Sequence, residues 1–366
     1  MWIAIFAAVA LAGIISVIFL VTRFHRFRVL EQLGEKHKLL SWLAALLPVG
    51  ALMCTCFVNM FTMFVVLIHL MVIWIICDLI AFIIRKLRHK PRTRNYAGGA
   101  ALLLTAAVLG MGWYFAHHVY ETDYQLTTQK SLGGEPLRIA MLADSHLSIT
   151  LSGEDFAEQI QRIEAQKPDV LFIVGDFVDD DTKKEDMLRA CEALGEMQLK
   201  YGIYYVYGNH DEGYYQYRSF SADDLRAALT ENHVKILADE TAVIDDRFAV
   251  IGRLDFYAPE RLSADALAAS AADGLYQIVL DHQPTDYDAE AAAGFDLVLS
   301  GHTHGGHIFP AGQIGLLISD NDAIYGHETR LNTDFIVTSG ISGWAIPFKT
   351  GTISEYCIID VSPAKT

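Results

Sequence analysis

The sequence predicts an α/β domain with buried sheets, preceded by a four-helix transmembrane region, and three observations lead there. Half of the 366 residues are hydrophobic (52%) and the mean hydropathy is positive, with the excess gathered in the first third. Charge divides the same way: residues 1–97 hold 11 Lys/Arg against 3 Asp/Glu, a net of +8, and the whole chain is −16, so residues 98–366 carry −24. Beyond residue 137, short apolar runs alternate with amphipathic segments, the pattern of strands and helices in alternation.

Four apolar runs make up the N-terminal third: Trp2–Val21, Leu39–Val58, Met60–Ile84 and Ala97–Val119. Each has about the 20 residues that a helix needs to cross a bilayer. The second and third are separated only around Asn59 and read as a tight hairpin, with Pro48 expected to kink the second. No Lys or Arg precedes Arg23, so the first run lacks the basic leader of a cleaved signal peptide and is expected to be retained.

Orientation follows from the loops. Arg23, Arg26, Arg28, Lys36 and Lys38 follow the first run, and Arg85, Lys86, Arg88, Lys90, Arg92 and Arg94 follow the third, while the turn at Asn59 has no positive charge. The positive-inside rule puts both basic loops in the cytoplasm. Everything beyond Val119 is then expected outside, with Trp2 and Trp113 at the outer interface. His69 and Asp78 fall within the third run. Two isolated polar residues do not make a transport path, so Asp78 is expected to pair with Lys or Arg, and His69 to bond a neighbouring helix.

Residues 120–136, with Gly133-Gly134 and Pro136, read as a linker between residues 1–119 and a domain at 137–366. In that domain Leu137–Ala143, Val170–Val174, Ile203–Tyr207, Ile278–Leu280 and Leu297–Leu299 are expected strands, and Asp155–Gln166 and Lys183–Met197 expected helices. The −24 balance excludes nucleic acid as the main partner, since its binders need a basic footprint. Of the five cysteines, Cys54, Cys56 and Cys77 lie in apolar stretches, and Cys191 and Cys357 lack metal-ligand spacing.

The carboxyl ends of the five strands carry the chemistry. They read Asp144-Ser145-His146, Gly175-Asp176, Gly208-Asn209-His210-Asp211, Asp281-His282-Gln283-Pro284 and Gly301-His302-Thr303-His304-Gly305-Gly306. Ligands of open α/β sheets gather at such ends. Imidazole and carboxylate together suit Mn, Fe or Zn, and the absence of cysteine argues against a structural zinc. Asp179 is either an orienter of a ligand histidine or, like Asp180 and Asp181, a solvated carboxylate, and Asp211 is expected to support the Asn209–His210 turn.

With these motifs in this order, the chain resembles the calcineurin-like metallophosphoesterases, and its Gly-His-Thr-His-Gly-Gly version with a four-helix leader resembles their bacterial membrane-bound type. The resemblance covers residues 137–307 and lends nothing to the first 120. It implies a four-layer αββα sandwich and two divalent metal ions. Asp144, His146 and His304 would hold the first, Asn209, His282 and His302 the second, and Asp176 would bridge both. His210 would face the substrate phosphate as the catalytic residue. Ser145 stands where many relatives carry leucine, and His307 where they often carry glutamine. The tail Ser339–Trp344 is not a widely shared signature. The implied activity is hydrolysis of phosphodiester, phosphomonoester or pyrophosphate bonds by a metal-bridging hydroxide, on cell-envelope or small-molecule phosphates that include lipid-linked ones. The alternative is a catalytically silent membrane sensor or binding module, whose signature, loss of ligand residues, is not found in this sequence.

Overall fold

A computed structural model describes residues 2–89, 95–214, 218–270 and 274–364. The chain forms two compact units, Met1–Met111 and Gly112–Thr366.

The first unit is helical: α1 (Trp2–Phe24), α2 (Arg28–Lys36), α3 (Lys38–Met53, extended by a 3-10 turn at Cys54–Phe57), α4 (Met60–Arg88) and α5 (Tyr96–His117), which continues into the second unit. Among the described residues, four segments are long and apolar enough to cross a membrane: Ala7–Phe24, Lys38–Phe57, Met60–Arg88 and Tyr96–His117. The short α2 between the first two was not legible in the sequence. Asn59 ends the hairpin turn by accepting a hydrogen bond from Thr62 N (2.7 Å), which caps α4. Trp74 is fully buried, edge-on to Phe24, while Ile14, Ile18, Leu47, Ile76 and Leu79 point outward, as lipid-facing side chains do. Asp78 pairs with Arg23 (2.9 Å) and Arg26 (3.7 Å). His69 Nδ1 bonds the Val65 carbonyl of its own helix (2.8 Å), one turn back and within easy reach of an imidazole. Lys90, Arg92 and Arg94 lie outside the described residues.

The second unit carries β1 (Val119–Thr128), β2 (Leu137–Leu142), α6 (Gly153–Ala165), β3 (Val170–Val174), α7 (Lys184–Glu196), β4 (Ile203–Val206), α8 (Ala222–Glu231) and β5 (Val234–Ile236). It continues with β6 (Glu240–Ile244), β7 (Phe248–Gly252), α9 (Ala264–Ser270), β8 (Tyr276–Leu280), α10 (Tyr287–Ala293), β9 (Leu297–Ser300), α11 (Ala311–Ile318), β10 (Gly326–Arg330), β11 (Thr333–Val337) and β12 (Ser354–Pro363). Among the described residues two six-stranded sheets form, in the orders β1-β12-β2-β3-β4-β5 and β10-β11-β9-β8-β7-β6. Strands β2 to β5 run parallel, as do β7, β8, β9 and β11.

Period-two alternation builds the layers. Ile139 and Met141 of β2, Phe172 and Val174 of β3 and Tyr204 and Val206 of β4 meet Val250, Ile278, Leu280 and Leu299 between the sheets. Their neighbours Ala140, Leu142, Leu171 and Ile173 pack outward under Phe156, Ile160, Met187 and Leu225 of α6, α7 and α8. On the far side Ile251, Val279 and Val298 lie under Leu267, Tyr287 and Ala291 of α9 and α10. The result is the αββα sandwich. Because both faces are covered, these strands read as continuous apolar runs. Capping boxes Ser152–Asp155 and Ser221–Asp224 start α6 and α8.

One boundary needs correction. Residues 120–136, read as a linker, begin with β1, which lies beside β12 in parallel register from Val119↔Ser354 to Thr128↔Pro363. Strand β1 alternates polar and apolar residues because one face is open to solvent, and that composition resembles a connecting segment. Cys191 and Cys357 are both buried and free.

Candidate metal centre

All five strand-end motifs converge. Asp144, His146 and His304 bring donor atoms within 4.8 Å of one another, and Asp176, His282 and His302 do the same. One oxygen joins the two groups: Asp176 Oδ2 lies 3.1 Å from His282 Nε2 and 3.6 Å from His146 Nε2. In the first group His146 Nε2 and His304 Nε2 face each other at 3.2 Å, and His304 Nε2 is 3.8 Å from Asp144 Oδ1. His304 Nδ1 is buried without a hydrogen-bond partner. Ring nitrogens aimed at one another beside a carboxylate, in a buried site, form a donor set that suits a cation.

The backbone is held in unusual conformations to achieve this. Asp144, His146, Asp176, His302 and His304 all have positive φ, from 33° to 69°. Glycine makes room where the chain turns beside the side chains. Gly175 has φ 77°, and a Cβ there would stand 2.5 Å from His282 Nδ1; a Cβ on Gly208 would overlap Asp176 Oδ1.

Supporting contacts orient the donors. His282 Nδ1 bonds the Val174 carbonyl (2.8 Å), and Asp179 Oδ2, buried, lies 3.2 Å from His146 Nδ1, so in both rings Nε2 is turned inward. Asp211 accepts hydrogen bonds from the backbone N–H groups of Asp176, Phe177, Val178 and Gly208 (2.7–3.1 Å), tying the Asp176 and Asn209 loops together. His210 N donates to Asp176 Oδ1 (2.8 Å). Asn209 gives its amide N–H to Tyr214 OH (2.9 Å), and its Oδ1 accepts from Gln283 Nε2 at 3.5 Å. Tyr215, Gln216 and Tyr217 lie outside the described residues.

Electrostatics follow from crowding carboxylates and imidazoles together out of water. Burial raises Asp144 to about 6, with Asp176 pushing the same way and His282 and His146 opposing. Burial also acts on Asp176, but His282, His210 and His146 overcome it and hold that carboxyl well below its usual range. For His282 burial is again the largest influence, yet the Asp176 and Asp144 carboxylates outweigh it and lift the pKa to about 10. His302 is lowered to about 3 by burial and by His282. The neighbouring carboxylates thus favour the protonated form of His282 and shift His146 in the same direction, and divalent ions would compete with those protons.

Sequence reasoning missed two features. The Ser339–Trp344 segment, after β11, lines the site: Ile341 N bonds the Ala143 carbonyl (2.9 Å), a Cβ on Gly340 would stand 2.6 Å from Asp144 Cβ, and the Trp344 and His210 rings are 5.5 Å apart. A Gly-containing turn directly after a buried strand was the available signal. Lys349 is fully buried and donates to the carbonyls of Ser339 (2.7 Å), Gly340 (3.0 Å) and Ile353 (3.1 Å), holding that segment against Asp144. Burial pushes its pKa down to about 7, against Asp144 and Glu355. Lys349→Met leaves the Ser339 carbonyl without its donor, while the Gly340 carbonyl keeps Glu355 N and the Ile353 carbonyl keeps Ser339 Oγ, and is expected to cost about 2 kcal/mol, a fall of roughly 4–8 °C in the unfolding midpoint of the full chain. An unchanged midpoint would show that the Ser339 carbonyl finds another donor.

Residues 137–306 match the family model of the calcineurin-like phosphoesterases. The chain is 35% identical over 246 residues to an uncharacterized metallophosphoesterase of Aquifex aeolicus, covering 65% of this chain and 90% of that one. It therefore belongs to the metallophosphoesterase family, whose members are phosphoric ester hydrolases. It is also 31% identical over 240 residues to an uncharacterized metallophosphoesterase of Campylobacter jejuni (63% of this chain, 60% of that one). A third relative, 29% identical over 276 residues, is a transmembrane protein with metallophosphoesterase domain of Danio rerio (70% of this chain, 60% of that one). The chain spans about 60% of the length of the latter two relatives.

Proposed function

We propose that the chain is a membrane-anchored phosphoesterase using two divalent metal ions held by Asp144, His146, His304, Asp176, Asn209, His282 and His302, with residues 137–366 and β1 as its catalytic domain. The observation that carries this reading is Asp176 Oδ2 standing between His146 and His282, where one carboxylate oxygen can serve both sites. The donor set of imidazole, carboxylate and one amide oxygen favours Mn, Fe or Zn. When bound, such a pair activates water as nucleophile and neutralises charge on the phosphoryl oxygens.

The chain's own groups do the rest. Asp176 holds the two sites at one spacing. Asp179 and the Val174 carbonyl fix the tautomers of His146 and His282. His210 stands beside His146, ring centroids 5.2 Å apart, and gives a proton to the leaving oxygen. Burial lowers the His210 pKa, which Asp176 opposes, and the negative charge of an arriving phosphate would favour the protonated ring in the same way. Removing the Asp179 carboxylate as Asp179→Ala should weaken metal affinity roughly 10–100-fold; titration with Mn of the stripped full chain reads this, and an unchanged affinity would leave Asp179 with a structural role only.

The basic loops after α1 and α4 support a cytoplasmic location for both, and hence an extracytoplasmic catalytic domain in the cell membrane. There the substrates are phosphodiesters, phosphomonoesters or pyrophosphates of the envelope, lipid-linked ones among them. The −24 charge of residues 98–366 repels polyanions away from the metal cleft and favours small or lipid-held phosphates. The full chain in nanodiscs should hydrolyse a chromogenic phosphodiester with Mn and stop on chelation. Two bound ions without turnover on any of a panel of phosphate esters would favour the silent binding module instead.

A further inference from the structure

Directly after the His302–His304 motif the chain presents an apolar surface that the chemistry does not use. From Gly301 to Ser319 there is no Asp, Glu, Lys or Arg, within a region otherwise carrying −24. Helix α11 packs beside the site where Gly312 is buried: a Cβ on Gly306 would stand 2.9 Å from its Cα, and a Cβ on Gly312 itself 3.2 Å from Ile324 Cδ1. Ile314, Leu317 and Ile318, spaced i, i+3, i+4, form a stripe on the opposite side of the helix, 51%, 84% and 49% exposed, and Phe309 ahead of it is 62% exposed. Apolar side chains gathered on one uncharged face mark a surface that something apolar covers.

The same compact unit also holds the end of an apolar helix. Its first residues, Gly112–His117, are the final turns of α5, a helix apolar enough to span a membrane, and Trp113 and Tyr114 are exposed there, as residues of an aromatic belt are. Lys349 N bonds the Gly112 carbonyl (2.9 Å). The next residue, Thr350, bonds the Phe309 segment twice, through its N–H to the His307 carbonyl (3.0 Å) and by accepting from Phe309 N (3.2 Å). One short hydrogen-bonded relay thus ties the end of a membrane-spanning helix to the start of the apolar stripe.

We propose that α11 and Phe309 lie in the surface of the lipid bilayer that the apolar helices cross, making a second, monotopic membrane contact beside the metal centre. This deepens the membrane-anchored reading and would deliver phosphates held at the lipid surface to the cleft. An uncharged stripe with a large apolar face suits burial at the boundary of headgroups and acyl chains.

The test uses the full chain with exposed Cys54 and Cys56 changed to alanine, the other three cysteines being buried. A single cysteine is introduced as Leu317→Cys or, as a control on exposed α6, Glu158→Cys, and labelled with an environment-sensitive fluorophore. The protein is placed in phosphatidylethanolamine–phosphatidylglycerol nanodiscs. The label at 317 should emit blue-shifted light and be quenched several-fold more strongly than the control by lipids with a nitroxide high on the acyl chain. Aqueous emission with quenching equal to the control overturns the proposal. So does a blue shift without lipid quenching, which would mean that a second copy of the chain covers the stripe. Ile314→Cys gives an independent reading where the first variant fails to fold. Hydrolysis is not measured, so failure here leaves the phosphoesterase reading standing.

Discussion

Asp176→Asn should leave the fold intact while the protein, dialysed and analysed for metal, holds fewer than two ions per chain. Asparagine keeps the shape of the side chain and its acceptance of the His210 N–H, but removes the charge that faces His146 and His282. Charge stabilisation of several kcal/mol depends on both ions, so turnover should fall on the order of 10³-fold or more. The histidines should respond too. Without the Asp176 carboxylate the main influence raising His282 is gone, burial dominates, and its pKa should drop, which NMR of labelled imidazoles can follow. A variant that keeps two ions and parental turnover would remove Asp176 from the centre of the site, and with it the proposed mechanism.

His210→Ala is the complementary experiment, with metal content unchanged and kcat reduced roughly 10²–10⁴-fold. The loss should depend on the leaving group. A nitrophenolate needs little help from an acid, whereas an alkoxide of high pKa needs much, so alkyl esters should suffer more than chromogenic ones. Equal losses on both would point to His210 binding the phosphate rather than delivering a proton. Its surroundings permit either, since the ring stands 5.1 Å from that of Tyr214 and 5.5 Å from that of Trp344.

The central strands and the Asp- and His-bearing motifs at their ends were legible because buried parallel strands are short apolar runs and each stops at a polar turn. Val170–Val174 agrees to the residue, and Leu137–Leu142 and Ile203–Val206 end one residue before the expected boundary. Edge strands were not: β1 and β10 have an open face, so half of their residues are polar and nothing local separates them from a loop. Asp179, Asp180 and Asp181 are chemically alike in sequence. Only the turn decides that Asp179 is buried against His146 while Asp181 is exposed. Lys349 escaped for a similar reason, because no spacing announces that a lysine will turn inward toward three carbonyls.

Strand β12 separates β1 from β2 in the first sheet, although β1 and β2 are successive in the chain. During synthesis the stretch leaving α5 therefore has no neighbour to pair with until residues 354–363 emerge. Closure of that sheet is a late, long-range event, with the entropic delay that distant pairing carries. Until then the nascent domain is joined to α5 by an unpaired tether, and a chain cut short before Ser354 never acquires the seam that fastens it.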